Sequence, residues 1–130
     1  MITASLKNYR ISPRKVRVVA NMIRGKEVGQ AKLILSAGLK KATGPLMDLI
    51  DSAVANAKNN FKITDETLFI KEIRVDQGFV LKRIMPVSRG MAHGIKKRTS
   101  HVEIVLAPVV PKVPKVAKKT AKAAKKEIKK

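Results

Sequence analysis

Cysteine and tryptophan are absent from this 130-residue chain, and one tyrosine and three phenylalanines make up its whole aromatic complement. Without thiols there is neither a disulfide framework nor a thiolate metal site. With aromatics limited to Tyr9, Phe61, Phe69 and Phe79, the chain is poorly equipped to stack unpaired bases on aromatic platforms. Met1 to Arg10 lacks the apolar run of a secretory signal, and no stretch approaches the length of a membrane span. A reducing, cytoplasmic-type compartment is therefore expected, with no membrane partner. Carboxylates are also scarce: 9 acidic residues face 29 basic ones, a formal net charge of +20.

The scarcity is extreme from Gln77 to Val102, where twenty-six consecutive residues hold no carboxylate and six fixed cations: Lys82, Arg83, Arg89, Lys96, Lys97 and Arg98. A buried core cannot hold such charge, because each ion would lose its hydration without gaining a partner. The stretch reads as an arm reaching from a small domain into something polyanionic. The rest of the chain agrees. Residues 1–107 carry 20 basic and 8 acidic residues, and residues 108–130 carry 9 and 1. The folded part is thus basic in its own right, and excess charge of one sign steers a chain toward anions, nucleic acid first.

Period-two alternation of Ile2, Ala4 and Leu6 predicts a strand at the start. Ser12-Pro13 predicts a helix start, with serine capping and proline in the first turn, and a helix to about Arg24 with an apolar stripe of Val16, Val19, Ala20 and Ile23. Gly25 is expected to close it, and Gly38 to close a second helix over about 27–37 in the same left-handed way. A third helix begins near Pro45, buries Leu46, Leu49, Ile50, Ala53, Val54 and Ala57, and exits at Asn59-Asn60. Strands over 67–76 and 102–106 bracket the basic stretch. The simplest topology is a long β-hairpin, spanning about residues 78–101, whose middle extends roughly 25–30 Å beyond the sheet. One domain, 1–107, is expected, followed by a disordered tail, 108–130, rich in proline, lysine and alanine.

Three stretches stand out together: Arg-Ile-Ser-Pro-Arg-Lys-Val-Arg at 10–17 with Ile-Arg-Gly-Lys at 23–26; Ser-Ala-Val-Ala-Asn-Ala at 52–57; and Leu-Lys-Arg at 81–83 with Lys-Lys-Arg-Thr-Ser-His at 96–101. In this order and spacing they closely resemble the bacterial-type large-subunit ribosomal protein family L-twenty-two, over about residues 2–106. The resemblance implies an α+β fold, three helices packed on a small three-stranded antiparallel sheet with a long protruding β-hairpin. It implies a structural constituent of the large subunit that binds large-subunit ribosomal RNA, supports assembly and lines the nascent-chain exit tunnel. Its partners would be that RNA, neighbouring large-subunit proteins and the passing polypeptide. Carried over by position, the tunnel-lining tip is Pro86, Val87, Ser88, Arg89, Gly90, Met91, Ala92, His93 and Gly94. Members usually carry more arginine there, where this chain has Val87 and Met91, which implies fewer phosphate contacts at the tip.

The residues expected to meet RNA are Arg10, Arg14, Lys15, Arg17 and Arg24 around the first helix, and Lys82, Arg83, Arg89, Lys96, Lys97, Arg98, Thr99 and His101 on the hairpin. A solvated charged face is the ordinary explanation of helical arginines; in so basic a chain, phosphate contact is the better one, since a guanidinium fork can hold two phosphate oxygens. His93 and His101, the only histidines, lack the companions that a metal site needs. Asp48 and Asp51 could mimic an acid/base pair, but a solvated helix face accounts for them. No phosphate loop, nucleophile elbow or triad pattern is present, so neither an enzyme nor a cofactor is expected, and no homo-oligomer. The rival reading is a nucleoid-associated architectural DNA-binding protein, which also combines a basic ribbon with a lysine-rich tail. A peripheral membrane binder acting through the tail is a third.

Overall fold

Residues 2–63 and 67–108 are described by the computed structural model; the expected tail from 109 onward lies outside the described residues. Three strands and three helices follow one another as β1 (Ile2–Tyr9), α1 (Pro13–Ile23), α2 (Val28–Ser36), α3 (Thr43–Phe61), β2 (Leu68–Pro86) and β3 (Ala92–Pro108). The sheet is antiparallel with order β1-β3-β2, so β3 is central and the two edges come from distant parts of the chain. This is the α+β architecture that the sequence implied. All three helices bear on one face of the sheet. There Ile2 and Ala4 of β1, Ile70, Ile73 and Val75 of β2, and Val102, Ile104 and Leu106 of β3 are buried. Their neighbours in the strands, among them Ser5, Arg74, Asp76 and Glu103, face solvent on the other side.

Each helix buries an apolar stripe, with Ile34 of α2, also expected inward, only partly buried. Val16, Val19, Ala20 and Ile23 of α1, Val28, Ala31 and Leu35 of α2, and Leu46, Leu49, Ile50, Ala53, Val54 and Ala57 of α3 join one core. The helices lie in an ordered way: α1 over β2, α3 mainly over β1, and α2 against α3. Alanines at 53 and 57, fully buried, let α3 come close to its neighbours. Pro45 sits in the first turn of α3, where its missing N–H has no intrahelical partner to lose.

The helix ends differ from expectation in three places. Ser12 stands at the N-cap of α1, but its side chain makes no capping hydrogen bond; its carbonyl instead accepts from Lys15 N and Val16 N. Gly25 does take the left-handed conformation (φ +74°), whereas Gly38 has no positive φ. A Cβ at Gly38 would lie 2.6 Å from Thr43 Cγ2, so this glycine permits close approach of α2 and α3 rather than a left-handed turn. At the end of α3 the helix continues past Asn59 and Asn60 to Phe61, and Lys62 adopts the left-handed closing conformation (φ 53°).

The hairpin is longer and more continuous than two strands with a loop between them. β3 runs without a bulge for 17 residues, whereas β2 carries an extra residue between Ile70 and Glu72 and another between Gln77 and Val80. β1 has a bulge between Leu6 and Tyr9, with Asn8 left-handed (φ 59°). Two of these bulges face adjoining segments of β3 from opposite sides, that of β1 against Ser100 to Val102 and the second of β2 against Arg98 to Ser100. A bulge bends its strand and increases local twist. Two bulges that meet at Ser100 therefore mark the neck at which a three-stranded sheet becomes a two-stranded ribbon. Beyond it, register pairs run from Val80↔Arg98 to Pro86↔Ala92, a ribbon of about 20 Å. The turn is made by Val87 to Met91, with Arg89 (φ 59°) and Gly90 (φ 72°) both left-handed. Ala92, His93 and Gly94, expected in the tip, are paired residues of β3.

The neck has no room for a side chain at Gly78. A Cβ there would lie 2.5 Å from Thr99 Oγ1 and 2.9 Å from His101 Nε2, while at Gly94 it would meet nothing within 4 Å. Gly78→Ala is expected to destabilise the protein by about 1–3 kcal/mol through overpacking, and Gly94→Ala to leave stability nearly unchanged. Urea denaturation of the two variants checks this; equal midpoints would show that the neck is not tightly packed.

Candidate nucleic-acid interface

In the ribbon, register assigns each cation to a face, because paired residues share a side and successive residues alternate. Even-numbered residues of β3 face the helix side of the sheet at Leu106, Ile104, Val102 and Ser100, and the same parity continues into Arg98 and Lys96. Lys82 pairs with Lys96 and joins that face; Lys97 and Arg83 point to the opposite one. The ribbon is thus cationic on both sides. Lys82 and Lys96 stand directly across from each other, an arrangement of like charges that destabilises a strand pair on its own. The carboxylates lie elsewhere: Lys32 Nζ meets Asp51 Oδ1 at 2.6 Å between helices, and Arg74 Nε meets Glu72 Oε1 at 2.7 Å on the open face of the sheet. The hydrogen bond from Arg74 holds the exposed Glu72 carboxyl below its usual range.

The tip is less polar than the arms. Ile84, Met85 and Met91 are exposed, with Ile84 at 76%. Arg89 occupies the turn itself, Ser88 and Gly90 flank it, and His93 is exposed opposite Met85.

The expected face of α1 divides in two. Arg14 and Lys15 are exposed near the helix start, and Arg10 is exposed in the turn after β1. Arg17 and Arg24 have another task. Arg17 donates from Nε and Nη2 to the carbonyl oxygen of Val75 at 3.1 and 2.7 Å, and Arg24 Nη2 donates to that of Ile73 at 3.1 Å. Just beyond, Gly25 N donates to Ile70 O and Ile70 N to Lys26 O. These are the outward-pointing groups of β2, an edge strand whose bare carbonyls could pair with another chain. The two arginines and the turn after α1 seal that edge. Arg17 and Arg24 thus lie beside β2 rather than fully in solvent.

Two hairpin residues also differ from expectation. Thr99 is 1% exposed, and its hydroxyl donates to Phe79 O at 2.7 Å. The bulge at Gly78-Phe79 lays that carbonyl over it, so Thr99 holds the neck instead of facing outward. His101 Nδ1 accepts from Asn8 N at 3.1 Å, joining the β1 bulge to β3. Gln77, Gly78 and Asn8 escaped sequence reasoning. A lone glycine within a strand pattern is a bulge signal, and asparagine tolerates the left-handed region, so two of the three carried a usable sign.

Arg14, Lys15, Arg17, Lys96 and Arg98 converge. With Ser12, Pro13 and Gln77 they line a groove of about 510 Å³ between the first turn of α1 and the root of the hairpin. Arg98 Nη1 donates to Gln77 Oε1 at 3.3 Å within it. Among the described residues no group of three or more histidine, cysteine, aspartate or glutamate side chains could hold a metal, and no helix is long and apolar enough to cross a membrane.

A family model described as ribosomal protein L22p/L17e matches residues 4–107. The large ribosomal subunit protein uL22 of Desulfitobacterium hafniense is 50% identical over 103 residues, covering 79% of this chain and 90% of that protein. Its counterpart in Bdellovibrio bacteriovorus is 45% identical over 105 residues (81% and 96%), and that of Acholeplasma laidlawii 43% over 101 residues (78% and 91%).

The sealed edge makes a prediction that separates fold from binding. Arg17→Ala and Arg24→Ala are each expected to cost about 1 kcal/mol or more, since each removes a charged donor from a backbone acceptor. Lys15→Ala is expected to stay within about 0.5 kcal/mol of the parent. Urea midpoints measured in the absence of nucleic acid decide it; no loss in either arginine variant would remove the sealing role.

Proposed function

The chain belongs to the ribosomal protein L22p/L17e family, structural and non-enzymatic constituents of the large ribosomal subunit, and from that membership we propose how its surfaces are used. The domain and both faces of the ribbon bind large-subunit ribosomal RNA. Arg10, Arg14, Lys15, Lys82, Arg83, Arg89, Lys96, Lys97 and Arg98 contact phosphates, and Arg17 and Arg24 add whatever N–H groups their bonds to β2 leave over. Thr99 is withdrawn from this set, and His101 acts at its margin. The single observation that carries the proposal is a ribbon of about 20 Å with cations on both faces, two lysines directly opposed, and no carboxylate from Gln77 to Val102. Only an environment that is anionic on all sides relieves that repulsion, and folded RNA is such an environment.

Contacts of this kind read shape and backbone rather than base sequence, because the deep groove of paired RNA does not admit side chains. The tip serves a second purpose in this reading. Ile84, Met85, Val87 and Met91 form an apolar end beyond the charged arms, suited to lining the exit tunnel beside a passing polypeptide rather than to holding phosphates. Neighbouring large-subunit proteins complete its surroundings on the cytoplasmic ribosome. The relatives are named as ribosomal proteins, and the architectural DNA-binding alternative finds no support among them.

Binding to a large-subunit RNA fragment is expected to fall steeply with salt. If about ten phosphates are neutralised, affinity drops by roughly three to five orders of magnitude between 50 and 200 mM salt. A salt-insensitive complex would contradict the charge-driven reading. Arg83→Glu with Arg98→Glu is expected to exclude the protein from assembled large subunits, whereas trimming the turn between Pro86 and Gly94 spares incorporation and alters the tunnel. Co-sedimentation of both variants with large subunits measures this, and normal incorporation of the charge-reversed protein would remove the arms from the interface.

A further inference from the structure

The groove at the start of α1 is more than a stretch of charged surface. Helix N-termini carry partial positive charge and favour acidic side chains nearby. The 11-residue α1 has no acidic residue in its first turn, has Arg14 and Lys15 there instead, and leaves the Ser12 hydroxyl out of its capping role. Sequence and helix dipole therefore conflict locally. The conflict is deepened by Lys96 and Arg98, which the hairpin root brings to the same groove, with no carboxylate among the lining residues. A bound anion resolves it.

Two of the cations are held in place. Arg17 is fixed by its two bonds to Val75 O and Arg98 by its bond to Gln77 Oε1. Guanidiniums already immobilised lose little freedom on taking a ligand, which is what separates a built site from flexible surface lysines. The groove also draws its cations from two elements far apart in sequence: Arg14, Lys15 and Arg17 come from α1, and Lys96 and Arg98 from β3.

We propose that this groove is a phosphate site: one tetrahedral oxyanion at the N-terminus of α1, held by Arg14 and Arg98 with Lys15, Arg17 and Lys96 around it. The inference rests on the RNA-binding function above and deepens it, because the ligand in the assembled particle is then a backbone phosphate of the ribosomal RNA. Its position has a mechanical consequence. Arg14 belongs to the domain and Arg98 to the ribbon, so an oxyanion shared between them ties the hairpin to α1 across the neck. One phosphate thereby fixes the direction in which the ribbon leaves the domain. Inorganic pyrophosphate carries the same tetrahedral phosphoryl oxygens, so it supplies this chemistry without RNA.

The test uses the full chain in two arms. In the first, backbone amide resonances are followed while inorganic pyrophosphate is added at constant ionic strength. Arg14, Lys15, Gln77 and Arg98 are expected to shift together and saturate with one apparent constant. Arg14→Gln with Arg98→Gln should raise that constant about tenfold or more. Lys40→Gln with Lys71→Gln, which removes equal charge away from the groove, should leave it within about twofold. Both altered arginines are solvent-exposed, and far-UV circular dichroism verifies that the variant is folded. In the second arm a large-subunit RNA fragment replaces pyrophosphate, and the amides from Gln77 to Val80 should gain hydrogen-exchange protection in the parent but not in the double arginine variant. Unsaturating shifts spread over all cationic residues, or equal effects of the two double variants, would overturn the site while leaving RNA binding intact. Saturation by pyrophosphate in a protein that does not bind the RNA fragment would instead support the site and defeat the proposed function.

Discussion

A central strand that runs unbroken from the core to the end of an arm has to exchange its surroundings part-way along. β3 does so between Arg98 and Val102. On the domain side it has strands on both edges and helices over one face; on the far side it keeps only β2. A two-stranded ribbon is marginal in water without further support, so the transition must be held firmly if the arm is to have a defined direction. Three things hold it: the bulges in β1 and β2, the bond from Asn8 N to His101, and the Thr99 hydroxyl under Phe79 O. Gly78 is what allows the strands to close so tightly there. The polar residues of the neck serve geometry, and the charged residues beyond it are thereby free to face outward.

Charge is arranged around that neck with a clear division. The domain pairs a part of its charge internally, as Lys32 with Asp51 and Arg74 with Glu72. The ribbon has no carboxylate to pair with. Exposed ion pairs of the first kind are each worth little, so their placement matters less for stability than for what it leaves unneutralised. The protein presents its fixed positive charge along the ribbon and at the start of α1. Self-repulsion there weakens the isolated molecule slightly and strengthens every contact with a polyanion. The destabilised free state and the favoured bound state have the same cause.

How much of this was legible in the sequence follows from range. The stripes Val16, Val19, Ala20, Ile23 and Leu46, Leu49, Ile50, Ala53 repeat within a few residues, and such local periodicity specified both helices and their buried faces. The hairpin was legible from charge, since a carboxylate-free cationic run between two strand patterns has few other places to go. The neck was not, because an extra residue in β1 or β2 acquires meaning only against the register of β3. For the same reason Thr99 read as one more polar residue of the arm. Arg17 and Arg24 read as phosphate contacts alone because the strand order β1-β3-β2, which makes β2 an edge, joins segments some fifty residues away from α1. The groove was half visible: its five cations were all singled out, but nothing local joins residues 14–17 to residues 96–98.

Arginine rather than lysine at 17 and 24 is what lets one helix serve both fold and surface. A lysine ammonium is a compact point charge, and one drawn to an edge carbonyl would bring its whole charge there. A guanidinium offers five N–H groups in a rigid plane. Arg17 uses Nε and Nη2 on Val75 O and still keeps its charge and its remaining N–H groups at the wall of the groove. The bond that protects the sheet from pairing with another chain also orients a cation toward the site, so neither role is obtained at the expense of the other. Lys15, one position from the arginine pair's stripe and bound to nothing in β2, has no such constraint. The helix thus carries two cations bonded to β2, where geometry has to be held, and two exposed ones, Arg14 and Lys15, where only charge is needed.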